Sequence, residues 1–234
     1  MIKLSSVQWG AVTAALLACS DSLGPDSTPA VPTSLQATVT NPFFPLPLGR
    51  TQVFNTQTAD GLEVDSVFIL AAPGGIHGFP VTTVHDRVYV AGSMTEDTFD
   101  WFAQDPEGNV WYLGEDTQQY DHGVVVGTEG TWQWGVHGAL PGIIMWGDTT
   151  GKINKLYRQE FDPGNAQDVG KLIALNQTLM LPFDTAAVTG CIKTEEWSTL
   201  EKGPHDNKFY CPHVGTVLEI GGSGDSTKLV SVSP

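Results

Sequence analysis

Asp97-Thr98-Phe99-Asp100-Trp101-Phe102-Ala103-Gln104 and Val110-Trp111-Tyr112-Leu113 flank Asp105-Pro106-Glu107-Gly108-Asn109. Two strand-forming runs on either side of turn-forming residues are the short-range signature of a β-hairpin. Pro106 pre-sets φ for the first turning position, and Gly108 suits a left-handed one. The same grammar extends outward in both directions. Residues 51–56 and 62–70 flank Ala59-Asp60-Gly61, and residues 81–90 alternate imperfectly. Residues 124–126 and 131–134 follow, with Gly127 and Gly130 between them. Further strand candidates are 156–161, 172–175, 178–181, 187–197, 208–211 and 216–220. No window carries a helical period longer than about two turns, and only 165–174 reads as one short helix. Many short strands with Gly and Pro turns predict an all-β fold. The long meandering hairpins favour a curved antiparallel sheet or an open barrel-like meander, with at most one short helix.

The first hairpin is chemically unusual. Residues 88–151 contain no Lys or Arg, yet hold the acids Glu96, Asp97, Asp100, Asp105, Glu107, Glu115, Asp116, Asp121, Glu129 and Asp148 among many aromatic residues. A turn at 105–109 places Trp101 nearly opposite Leu113 and brings Asp97 and Asp100 towards Glu115 and Asp116. Like charges that close repel, so they must be solvated, protonated, hydrogen-bonded or joined by a cation. Asp97, Asp100, Glu115 and Asp116 are therefore a candidate oxygen-rich set for Ca²⁺, although no calcium-loop motif is present. Aromatic rings with carboxylates also suit sugars. Asp100 with Glu115 is a candidate carboxylate pair for glycoside hydrolysis, which needs a separation of about 5–10 Å. The plainer alternative is a sheet whose aromatic face makes the core while its acids face water.

Other chemistries lack their signatures. There is no Gly-x-Ser-x-Gly elbow, phosphate-binding loop or dinucleotide fingerprint. The histidines show no metal-binding spacing, and His85-Asp86, Asp121-His122 and His205-Asp206 are neighbours that a strand points to opposite faces.

Cys191 and Cys211 have a positional relationship. Facing residues of an antiparallel hairpin have a constant sum, and 191 + 211 = 402 centres the turn near residue 201, where Glu201-Lys202-Gly203-Pro204 is turn-forming. A disulfide across that hairpin is expected. Two buried free thiols, or a zinc site with His205 and His213, are the alternatives.

Cys19 follows Leu16-Leu17-Ala18 at the end of an apolar run that begins at Val7. That run is shorter than the roughly 20 residues of a membrane-spanning helix and has signal-peptide length. The ending resembles the lipobox of bacterial lipoproteins. The resemblance implies removal of residues 1–18, lipidation of Cys19 and attachment to a membrane outside the cytoplasm. Ser20 implies the outer membrane if the envelope is Gram-negative. Residues 19–40 read as a flexible tether, 41–220 as one all-β domain and 221–234 as a loose tail. With Lys3 removed, the mature chain has 10 basic and 26 acidic residues, a net charge of 10 − 26 = −16. Such a chain does not bind nucleic acid by charge, and its expected partners are an envelope ligand or protein.

Glu96-Asp97-Thr98-Phe99-Asp100-Trp101-Phe102-Ala103-Gln104-Asp105 and Gly108-Asn109-Val110-Trp111-Tyr112 resemble a group of uncharacterised bacterial secreted proteins and lipoproteins sharing the pattern EDT-x-DWYAQD-x-x-GNVWY. Ala139-Leu140-Pro141-Gly142-Ile143-Ile144-Met145, Tyr157-Arg158-Gln159-Glu160 and Tyr210-Cys211-Pro212-His213-Val214-Gly215 look similar to the same group. The resemblance transfers no catalytic role. It implies that Asp100, Trp101, Gln104, Trp111, Arg158 and Glu160 belong to one constellation, and Phe102 stands where the pattern has Tyr. Together with Glu115, these are the candidate binding residues. The expectation is a lipid-anchored envelope binding module. A carboxylate-based hydrolase and an assembly protein are the other readings.

Overall fold

One carboxylate holds the first hairpin. In the computed structural model, which describes residues 26–233, the side chain of Asp105 is buried against its own turn. Its Oδ1 accepts the Asn109 backbone N–H at 2.8 Å, and its Oδ2 accepts Asn109 Nδ2 and Trp111 Nε1, each at 2.8 Å. Gly108 takes φ 83°, and its N–H donates to the Asp105 carbonyl at 3.0 Å.

Among the described residues there are no helices, and the strands run in chain order as β1 (Thr51–Thr58), β2 (Gly61–Ile76), β3 (Phe79–Val90), β4 (Ser93–Gln104), β5 (Val110–Asp121), β6 (Val124–Gly127), β7 (Trp132–Gln133), β8 (Leu140–Met145), β9 (Leu156–Arg158), β10 (Glu160–Phe161), β11 (Asp168–Leu179), β12 (Val188–Ser198), β13 (Asp206–Cys211), β14 (Gly215–Ile220) and β15 (Ser226–Ser233). They form one antiparallel sheet in the order β10-β8-β5-β4-β3-β2-β1-β15-β14-β13-β12-β11-β9, with β6 and β7 also on β5. The two ends of that order, β9 and β10, are consecutive in the chain and separated by Gln159 alone. The Gln159 N–H donates to the Asp168 carbonyl of β11 at 2.8 Å, and Gly142 of β8 lies against the Gln159 backbone so closely that a Cβ there would collide with it. The sheet therefore curls into a nearly closed barrel whose seam is crossed by a covalent bond. Closure removes exposed strand edges.

The barrel interior is graded along its axis. Phe102 and Tyr112 stack with centroids 4.9 Å apart at the end nearer the Asp105 turn, packed with Val67, Ile69 and Val84. Towards the other end, the inward positions of the same strands carry Asp65, Asp86, Thr98 and Asp100, all buried.

Three expectations are corrected. Residues 165–174 are not a helix, because Asp168–Leu179 is strand β11. Asp168, Gly170 and Leu172 point inward in strict alternation, and Gly170 is packed against the Tyr157 ring, where a Cβ would lie 2.8 Å from the hydroxyl. Register shifts after Leu172 break that alternation in the sequence. The described part of the supposed loose tail 221–234, residues 221–233, is ordered into the sheet. The Gly-rich stretch is a tight turn, with Gly221 N–H to the Asp225 carbonyl at 3.0 Å, and β15 fills the gap between β14 and β1 with Leu229 fully buried. Finally, the described part of the supposed tether, 26–40, packs on the barrel. Gln36 and Gln104 exchange backbone hydrogen bonds at 2.9 Å, while Leu35 and Val39 are buried among the core residues. Those two apolar side chains give a Pro-rich segment enough burial to order it. The signal peptide, Cys19 and the start of the tether lie outside the described residues.

The expected hairpin register holds. Ile192 faces Tyr210 and Glu196 faces Asp206, and Cys191 and Cys211 form a disulfide over a separation of 20 residues. This replaces both the free-thiol and the zinc alternatives. A cross-link of that span is worth roughly 3 kcal/mol in the chain-entropy account.

Asp105→Ala leaves the Trp111 indole and the Asn109 N–H without their acceptor. Stability should fall by about 3 kcal/mol, read as a lower urea midpoint at unchanged slope, and Asp105→Asn should recover part of the loss.

Candidate functional site: an acidic barrel mouth

Side chains two apart on a strand share a face. On β4 this aligns Glu96, Thr98 and Asp100, and on β5 it aligns Gln119, Thr117 and Glu115 directly opposite them. Asp86 of β3 lies opposite Thr98. Across the seam, Glu160 of β10 and Asp168 of β11 complete a cavity of about 320 Å³, rimmed by Glu129, Gly130, Asn165, Ser198 and Glu201. Its lining holds eight acidic side chains and no Lys, Arg or His.

A β-bulge assembles this site. Trp101 faces Gly114 and Phe102 faces Tyr112, so Leu113 is an extra residue on β5. Without it, Tyr112 and Glu115, three apart, would point to opposite faces. With it, both point inward, and the Tyr112 hydroxyl donates to Asp100 Oδ1 at 2.6 Å. Gly114 takes φ 145°, and a Cβ there would lie 2.5 Å from the Trp132 carbonyl. The glycine thus lets β7 pair closely alongside β5, and Trp132 Nε1 donates to Glu160 Oε2 at 2.8 Å.

Burial dominates the protonation of these groups. It raises Asp100 to about 7, with Asp86 and Glu96 adding repulsion and the Tyr112 hydrogen bond opposing them. Glu115 is raised well above the ordinary range by burial and then by Asp100. Glu160 is raised likewise by burial, then by Asp168 and Glu115. Asp168 reaches about 6 through burial, moderated by Ser198 and Lys208. Asp65 is also raised well above the carboxylate range, by burial and by its hydrogen-bonded neighbour Asp86. Among the described residues, the interior accommodates one buried ammonium group. Lys208 Nζ sits 3.2 Å from Glu196 and 3.7 Å from Glu219. Burial lowers its pKa, but those carboxylates outweigh burial and the net shift is upward. Burial raises Glu219 to about 7 against the pull of Lys208.

The candidates from the sequence divide. Asp100, Glu115 and Glu160 line the cavity. Trp101 faces outward, half-buried over Gly114. Gln104 braces the N-terminal segment, with Oε1 accepting the Thr40 and Asn41 N–H groups at 2.8 and 2.9 Å. Trp111 is spent on Asp105. Arg158 lies outside, donating from Nε to the Pro141 carbonyl at 3.2 Å and standing 3.6 Å from Asp26. The six residues implied by the resemblance therefore do not form one constellation. The proposed Ca²⁺ set divides too. Asp97 is on the outer face, hydrogen-bonded to His85, and Asp116 is exposed. Among the described residues no group of three or more His, Cys, Asp or Glu side chains is placed to hold a metal ion. Among the described residues no aromatic side chain lines the cavity; Tyr112 and Trp132 direct their polar atoms to Asp100 and Glu160. Phe102, which carries no hydroxyl, packs between Tyr112 and Phe44.

Glu96 and Glu129 belong to the acid-rich segment that the sequence marks, whereas Asp86, Asp168 and Glu201 of the lining lie outside it. An available signal was acid at the inward parity of strands that otherwise bury apolar residues there, as in Val84-Thr-Asp86-Arg-Val88.

No family model and no curated protein matches this chain. Among solved structures, the chain is similar to a crystal structure described as a "putative lipoprotein" from Parabacteroides distasonis, at 13% identity and a TM-score of 0.33, covering 85% of this chain and 100% of that one.

The raised carboxyls set a pH dependence. Unfolded carboxyls ionise near 4, while Asp168 and Asp100 hold their protons to about 6 and about 7. Their contribution is complete below about pH 4 and is lost as pH rises through the folded values, by up to about 1.4 kcal/mol per pH unit per group. Thermal unfolding should therefore show a higher Tm at pH 5 than at pH 8. Asp100→Asn should flatten the slope and raise the Tm at pH 8.

Proposed function

We propose that this chain is a lipid-anchored envelope protein whose barrel mouth binds a cationic ligand carrying amino groups. The observation that carries the reading is the cavity lining of eight acids without a basic side chain. At neutral pH such a cavity is poised between holding protons and ionising. An ammonium group entering it replaces protons and relieves repulsion among Asp100, Glu115, Glu160 and Asp168. The volume falls in the small-ligand range, and the Lys208–Glu196–Glu219 cluster is an internal precedent for the chemistry.

Spermidine is a suitable probe. A ligand that binds only the folded state adds RT ln(1 + [L]/Kd), about 2.7 kcal/mol at a hundredfold excess over Kd. At pH 8 spermidine should raise the Tm beyond NaCl of equal ionic strength, and Asp100→Asn with Glu115→Gln should remove most of the increment. Equal shifts in the two salts would reduce the effect to general screening and end the proposal.

A second reading rests on Asp100 itself. A carboxylic acid that keeps its proton to about 7 and directly faces Glu115 has the makings of a general acid in glycoside hydrolysis. In that case chromogenic glycosides would be turned over, and Asp100→Asn would abolish turnover while substrate still bound.

The location rests on the Leu16-Leu17-Ala18-Cys19 ending and on a disulfide suited to an oxidising compartment. Mass spectrometry of the mature protein should find an acylated N-terminal Cys19, and Cys19→Ala should release the protein from the membrane fraction. A soluble, unacylated chain starting elsewhere would refute the anchor.

A further inference from the structure

The barrel closes on itself, but one strand beside its mouth keeps an open edge. β6 pairs with β5 and, among the described residues, with no other strand. The two strands are joined through His122 and Gly123, whose φ values of 50° and 79° make a tight mirror-image turn. Asp121 faces Val124, and Tyr120 faces Val125. In a two-residue hairpin the pair next to the turn is hydrogen-bonded and the following pair is not. The Val125 N–H and carbonyl therefore point away from β5, towards the open side. The side chains there are unusually apolar for a free edge, with Val124, Val125 and Val126 at 63%, 45% and 63% exposure. Exposed edges are ordinarily blunted by Lys, Pro or a bulge; this one has neither Lys nor Pro, and its irregularity is the register shift that leaves Val126 as an extra residue, beyond the Val125 pair.

The edge leads into the acidic mouth. Gly127, its last residue, packs on the side chains of Glu129 and Gln119, and both of these line the cavity. We propose that β6 is a β-augmentation site, and that its partner is an extended basic peptide segment that pairs with Val125 and extends a Lys or Arg past Gly127 into the mouth. The inference rests on the cationic-ligand reading above and narrows it to a polypeptide. Main-chain bonds supply affinity in such pairing, and side-chain pockets supply choice. At about 3.3 Å per residue, a basic residue two or three positions beyond the Val125 pair stands over Glu129. Charge also selects against a second copy of the chain. Residues 88–151 carry ten acids and no Lys or Arg, within a chain of net charge −15, so edge-to-edge pairing of two copies would bring two acidic mouths together.

The test uses a labelled ten-residue peptide of alternating Val and Thr ending in three Lys, a counterpart ending in three Glu, and spermidine. Anisotropy should show the Lys-ended peptide binding at least tenfold more tightly than the Glu-ended one, and amide exchange at Val125 should slow in its presence. Val125→Pro should weaken the peptide at least tenfold and leave the spermidine Tm increment intact. If Val125→Pro unfolds the barrel by circular dichroism, Val124→Lys with Val126→Lys serves instead, repelling the basic peptide while keeping the strand. Equal peptide binding by the variants, or unchanged exchange at Val125, would overturn the inference. Spermidine binding without peptide binding would overturn it and leave the mouth reading standing. Failure of spermidine would remove the mouth reading itself. A dimer in sedimentation that Val125→Pro dissolves would make the occupant a second copy and overturn the peptide assignment.

Discussion

Closing a sheet into a barrel takes one face of every strand out of bulk water at once. Whatever side chain the chain places at the inward parity must then be satisfied by its neighbours, and this protein places carboxyls there. Asp65, Asp86, Asp100 and Asp168 are buried, and an ionised carboxylate in such surroundings is costly unless it is paired or hydrogen-bonded. The fold meets the cost in three ways. In some groups burial shifts the balance towards the neutral acid, as in the raised Asp100 and Glu115. Some accept hydrogen bonds from aromatic donors, Tyr112 to Asp100 and Trp132 to Glu160. Glu196 and Glu219 share the ammonium of Lys208.

These solutions depend on backbone detail. The bulge at Leu113 turns Tyr112 to the same side as Glu115, and Gly114 admits β7 against the bulge. One irregularity therefore supplies a donor to each of two acids on different strands. The apolar half of the interior, closed by Leu35 and Val39 of the N-terminal segment, anchors the strands so that the acidic half can remain hollow. A cavity surrounded by self-repelling groups would otherwise collapse or splay. The apolar core thus lies away from the mouth, where eight acidic side chains gather.

The outer face tells a different story with the same residue types. His85 stacks on Phe99 with centroids 4.0 Å apart and hydrogen-bonds Asp97, while His205 stacks on Trp197 at 4.1 Å and contacts Glu195. These clusters use polar and aromatic groups to cover one another on a solvated surface. Acid and aromatic content alone does not separate them from the cavity, because the distinction lies in which side of the pleat each residue occupies.

Much was legible in the residues themselves. Strand-forming runs punctuated by Gly and Pro specify an antiparallel all-β chain, since period-two patterning and turn chemistry are local properties. The Asp105–Asn109 turn and the 402 register of Cys191 and Cys211 follow from spacing alone. The tertiary structure decided what spacing could not. The strand at Asp168–Leu179 was legible only as the fragments 172–175 and 178–181, with 165–174 open to a helix, because its bulges break the alternation, and β15 was hidden because its Ser, Thr and Lys content pairs by backbone. The candidate acids were sorted by parity and bulge position, which placed Asp100, Glu115 and Glu160 together while sending Asp97, Asp116 and Arg158 elsewhere. Residues as distant as Glu96 and Asp168 meet only because the sheet returns to its own seam, and no local property of a chain encodes where a sheet closes.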